Sequence, residues 1–283
     1  MTTSAATASV QHPGSGATGA TPVSSRTQLV GAGIFVGLSL GLGAAAYVAR
    51  TPPALMPFIL AVVPAGFAVV LAAREGRGAV RRLFHSLTIR PSQRRWYLAL
   101  LIPVVWAPAT VAIAVALGEP TTGLFDKIFP AILIVPLVVL LPAFIEEFAW
   151  RGFVLPRLMS AMSPLQAALV LAVPWTLIHV FLFLPGQQYD FLAIWGLVLS
   201  IFAYSILLTW IYVGTGGSVL MTALVHAGLN GLAPVMAGVD ADASWAIRNV
   251  LAALIALALI ALGGFNRDWS TRSATPLIKG GIS

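Results

Sequence analysis

The 283-residue chain has no cysteine. Disulfide bonds, thiol nucleophiles and thiolate metal sites are therefore excluded. Charge is nearly as scarce. Asp, Glu, Lys and Arg together make up 9% of the sequence, and only nine residues are acidic. A typical soluble domain carries about 25% charged residues, so this chain lacks the material to cover a water-exposed surface. What it has instead is apolar. Hydrophobic residues make up 59%, and the mean hydropathy is +0.93. These numbers point to an all-α, polytopic membrane helix bundle. The +7 net charge would suggest nucleic acid in a soluble protein. Here the first partner is the lipid bilayer, and no nucleic-acid partner is expected.

A membrane span needs about 20 mainly apolar residues. Eight candidate spans meet that need, at about 29–49, 53–73, 97–117, 128–150, 165–184, 191–212, 218–236 and 246–264. The uncharged run 191–239 is too long for one helix and is expected to break at Gly214, Gly216 and Gly217. Residues 1–28, rich in Ser, Thr, Ala and Gly, read as a flexible N-terminal tail, without the pattern of a signal peptide. The transmembrane bundle covers 29–266, and 267–283 form a short C-terminal tail. There is no internal repeat and no separate soluble domain.

The basic residues sort by loop. Seven arginines (74, 77, 81, 82, 90, 94 and 95) lie between the second and third candidate spans. That segment is expected in the cytoplasm. Eight spans then place both termini on the same side. Arg26, these seven, Arg151, Arg157, Arg267, Arg272 and Lys279 fall inside, and only Arg50, Lys127 and Arg248 fall outside. The basic segment either just sets topology or forms a helix lying on anionic lipid. Trp96, Tyr97 and Trp245 sit at span edges, where interface aromatics are ordinary.

Ionisable groups inside spans are expensive and usually functional. Glu146, Glu147 and Arg151 lie in one segment, EEFAWRG at 146–152. His179 closes the segment WTLIH at 175–179, and His226 and Asn230 frame HAGLN at 226–230. Glu147 and Arg151 are four apart, so they share a helix face and can pair. Glu146 is rotated by about 100° from Glu147 and points elsewhere. His226 and Asn230 also share a face and can present two donors to one atom. Counted from the expected interfaces, Glu146, His226 and His179 lie about 16, 12 and 21 Å deep at the helical rise. A common polar cavity in the cytoplasmic half is feasible at those depths, helped by kinks at Pro142 and Pro174. His12 and His85 lie in the tail and the basic loop and carry no such signal.

A carboxylate and an imidazole together can deprotonate water. An imidazole and an amide can stabilise negative charge on a carbonyl oxygen. Such a set supports amide hydrolysis without a covalent nucleophile. Two histidines and a glutamate are also conceivable zinc ligands, although there is no HExxH. Intramembrane Glu, His and Arg would serve a proton-coupled transporter as well, but three short clusters do not line a path through both halves.

At these motifs the sequence resembles the CPBP family, the CAAX-protease and bacteriocin-processing group, also called Abi or type II CAAX prenyl endopeptidases. The resemblance covers about residues 75–235. The family's double glutamate followed by arginine matches Glu146, Glu147 and Arg151. Its aromatic residue four before a histidine, usually phenylalanine, corresponds to Trp175 and His179. Its histidine four before an asparagine matches His226 and Asn230. The resemblance implies an intramembrane endopeptidase with a cavity open to the cytoplasm. Glu146 would be the general base and His179 would help to position water. His226 and Asn230 would form the oxyanion hole, with Glu147, Arg151 and Trp175 in support. No cofactor or catalytic metal is implied. The partner would be a membrane-associated protein or peptide, prenylated in the eukaryotic members. Other members act as scaffolds or in bacteriocin immunity.

Overall fold

A computed structural model of the chain describes residues 24–119, 140–187, 194–231 and 241–265. Helix is the only regular structure among them, in nine helices. These are α1 (Ser25–Val48), α2 (Met56–Arg74), α3 (Arg77–His85), α4 (Arg94–Ala116), α5 (140–159), α6 (Pro164–Val180), α7 (Ile194–Gly214), α8 (Val219–Gly231) and α9 (Ala241–Ala261). The protein is a polytopic helical membrane bundle.

Local chemistry sets the helix limits. Ser24 caps α1 with its hydroxyl accepting from the Thr27 amide at 3.2 Å. Residues 25–28 are therefore helical, which shortens the expected N-terminal tail. The rest of that tail, the C-terminal tail from 267 and the stretch 128–139 of the expected fourth span lie outside the described residues. Ser163 and Gln166 form a reciprocal capping box at the start of α6, with Pro164 in the first turn. The expected break after α7 occurs at the three glycines. Gly216 and Gly217 have φ of +74° and +93°, and the Gly217 amide returns to the Tyr212 carbonyl at 2.8 Å. The first of the three, Gly214, lies against the Trp96 ring, with no room for a side chain.

Among the described residues, five helices are long and apolar enough to cross a membrane: α1, α2, α4, α7 and residues Ala243–Ala261 of α9. Of the helices carrying the polar motifs, α6 has 17 residues, about 26 Å at the helical rise against a hydrocarbon core of about 30 Å, and α8 is described over Val219–Gly231, with 232–236 of the expected seventh span outside the described residues. α5 runs past position 150, the expected end of its span, and Trp150–Val154 form a π-helical turn within it. Such turns are rare and cluster at functional sites. α7 is the most enclosed of the long helices and packs against α6, α8 and α9. The basic segment is helical in part, as α3. Its Ala79 and Leu83 are buried while its arginines face outward.

Candidate active site

The interior of the site is a three-residue ionic cluster. Arg151 Nη1 donates to Glu147 Oε1 at 2.8 Å, and both side chains are 0% exposed. His226 Nδ1 lies 2.9 Å from the same carboxylate oxygen and is also buried. A carboxylate in this cluster accepts hydrogen bonds, so Nδ1 carries the proton and donates. The pairing expected between Glu147 and Arg151 is present. The partnership of Glu147 with His226 on another helix was not foreseen from spacing. Burying one carboxylate takes compensation, and a cation on its own helix plus an imidazole from α8 supply it.

The outer part is a second pair. His179 Nε2 lies 3.8 Å from Glu146 Oε2. Their side chains are 25% and 18% exposed, so water reaches this pair and not the inner cluster. His179 Nδ1 lies 2.8 Å from the Trp175 carbonyl one turn back on α6. A carbonyl only accepts, so Nδ1 holds the proton, and in neutral imidazole Nε2 offers its lone pair toward Glu146. Two acceptors 3.8 Å apart do not bond directly. They suit one water donating a hydrogen to each. Both residues line a cavity of about 40 Å³ with Pro57, Leu60, Trp150, Ile178 and Leu182, enough room for ordered water.

Trp175 connects the two parts. Its indole Nε1 donates to Glu146 Oε2 at 3.4 Å. The Arg151 guanidinium sits over its ring, 4.0 Å from the centroid. The His179 and His226 rings both meet it edge-on, at centroid distances of 5.9 and 5.6 Å. The resemblance implied only a supporting aromatic residue here. The indole N–H adds a polar contact to the outer glutamate that phenylalanine lacks. Asn230, one turn beyond His226 on α8, is exposed. No three His, Asp or Glu side chains converge at metal-ligand spacing among the described residues.

Two comparisons with known proteins bear on this site. Residues 128–232 match the family model for "Type II CAAX prenyl endopeptidase Rce1-like". That interval contains all the motif residues. A CAAX prenyl protease 2 of Methanococcus maripaludis is 27% identical over 149 residues, 46% of this chain and 54% of that protein. The chain thus spans about half the length of that curated relative. With the glutamate pair, arginine, two histidines and asparagine in the family's order, and with the acidic and basic members of that set gathered from three helices, the chain is similar over residues 128–232 to the type II CAAX prenyl endopeptidases.

Proposed function

We propose that the protein is an intramembrane endopeptidase that uses Glu146 to activate water and needs no metal. The observation that carries this reading is the pair Glu146 and His179, with acceptor atoms 3.8 Å apart on the wall of a water-sized cavity. In the first step, water held by both loses a proton to Glu146 and its oxygen bonds to the scissile carbonyl carbon. The carbonyl π pair moves onto oxygen. His226 and Asn230 stabilise that oxyanion. A His226 Nε2–H donor requires imidazolium, because Nδ1–H is already committed to Glu147. The buried Glu147 carboxylate faces that charge, and Arg151 holds Glu147 in place. In the second step Glu146 returns its proton to the departing amine nitrogen as the C–N bond breaks. One water is consumed, and an acid and an amine leave.

The substrate is a membrane-associated protein or peptide. The named relative is a prenyl protease, and a prenylated chain end is the first candidate to test. The basic segment 74–95 faces the cytoplasm on this reading, with both termini and the cavity mouth on that side.

The test uses purified protein in detergent with prenylated and unprenylated membrane peptides, followed by mass spectrometry. Glu146→Gln and His179→Ala are expected to lower kcat by about 10²–10⁴-fold. Asn230→Ala is expected to cost about 10²–10³-fold. A chelator should leave the rate unchanged. Loss of activity on chelation with recovery on added zinc would replace this mechanism with a metal one. A wild-type protein that cleaves nothing, while Glu146→Gln retains the cellular phenotype, would make it a scaffold or immunity protein.

A further inference from the structure

We propose that the basic segment 74–95 is a binding surface for anionic phospholipid headgroups, fastened to the two helices that hold the inner cluster of the site. The charge on this surface is unanswered within the described protein. All seven of its arginines are exposed, and none forms an ion pair among the described residues. The segment contains one acid, Glu75. Both oxygens of that carboxylate are taken by Arg157 of α5, at 3.1 and 2.7 Å. The segment joins two helices long enough to span the bilayer, α2 and α4, which puts it at the headgroup level. Guanidinium forks match phosphate oxygens, and basic residues beside a bilayer concentrate anionic lipid.

The surface is not a free loop. Leu83 turns inward and meets Gly152 of α5, where an added Cβ would come 3.0 Å from Leu83 Cδ1. The Phe84 ring packs on Phe148, the neighbour of Glu147, at 5.2 Å. The Ser86 carbonyl accepts from the Val219 amide at 2.9 Å, filling one of the open donors at the start of α8. Ser218 Oγ donates to the Ile89 carbonyl at 2.6 Å. The basic segment thus contacts the helix of Glu147 and Arg151 and the helix of His226. Headgroups that gather the arginines hold both helices in register. The lipid surface is independent of the protease reading, while its effect on catalysis rests on that reading.

The full chain is reconstituted in nanodiscs of phosphatidylcholine with phosphatidylglycerol. Lipids retained by the protein are counted by native mass spectrometry. Wild type should retain phosphatidylglycerol in excess of its share. Triple variants R77Q/R81Q/R82Q and R90Q/R94Q/R95Q should each lose roughly five-fold or more of that enrichment. Their melting midpoints in pure phosphatidylcholine should equal that of wild type, which separates lost binding from misfolding. Inorganic phosphate in excess should not displace the lipid. Amide exchange over 219–231 should be slower with phosphatidylglycerol than without it. Equal retention of both lipids, or enrichment untouched by both triple variants, overturns the proposal. So does displacement by free phosphate. Binding of an acidic peptide without any lipid preference overturns it too and makes the surface a protein contact. Equal exchange in both lipid compositions removes the link to α8. None of these readouts requires a substrate, so a failed cleavage assay leaves them intact.

Discussion

Replacing Arg151 with leucine tests whether the buried cluster is one electrostatic unit. The Arg151–Glu147 contact is 2.8 Å with both side chains 0% exposed. At an effective dielectric of about 20, unit charges at that separation attract by roughly 6 kcal/mol. Desolvation of both groups cancels much of this, so the pair's net contribution is small. Removing one partner is different, because Glu147 then stays buried with only His226 beside it. That change costs about 3–5 kcal/mol. The guanidinium over the Trp175 ring adds about 0.5–2 kcal/mol. At about 2–4 °C per kcal/mol for a large domain, Arg151→Leu should lower the unfolding midpoint by roughly 7–28 °C. The assay is thermal unfolding of purified protein in detergent, with no substrate needed. The double variant E147L/R151L removes both charges and should regain at least half of the loss, although His226 then lacks its acceptor. Two results refute the reasoning. One is a single variant as stable as wild type. The other is a double variant that falls by the sum of the two single losses, since independent residues add and coupled ones do not.

Two smaller perturbations probe other parts. Trp175→Phe keeps the ring and deletes the indole N–H that reaches Glu146 at 3.4 Å. kcat should fall about two- to ten-fold, the range of one modest hydrogen bond, with KM unchanged. An equal effect in an E146Q background would show that the N–H acts elsewhere. Gly214→Ala places a methyl group into the Trp96 ring and should destabilise by about 1–3 kcal/mol, read as a lower unfolding midpoint with no selective effect on kcat.

The membrane class and the polar cluster proposed as the site were legible because the bilayer makes polar residues rare. Where only nine acids exist, two adjacent glutamates followed by an arginine four on are conspicuous, and helical spacing fixes their pairing. The break after Gly214 was legible because the positive φ of Gly216 and Gly217 selects glycine. Helix limits were less so. Eight similar spans were expected from hydropathy, yet α6 has only 17 residues. Hydropathy averages over a window and does not register where a capping serine or a turn ends a helix. The π turn at Trp150–Val154 has no periodic signature at all.

Tertiary partners were the least legible, and they define how the site divides. From spacing alone, His226 belonged with Asn230, four residues on. In the folded protein its Nδ1 belongs to Glu147 from another helix, and only its other nitrogen remains for a substrate. His179 likewise commits Nδ1 to the Trp175 carbonyl. Each histidine is thus reduced to one working nitrogen by a partner that sequence does not announce, which fixes the ring orientations before any substrate arrives. The two glutamates are separated by the same logic. Neighbours in sequence, they take different partners: Glu146 meets the Trp175 indole N–H, and Glu147 meets Arg151 and His226. Glu147 is dry and held by Arg151 and His226, while Glu146 is partly exposed beside a small cavity. The proposed hydrolysis rests on that division, with one carboxylate fixed in the interior and the other open to water.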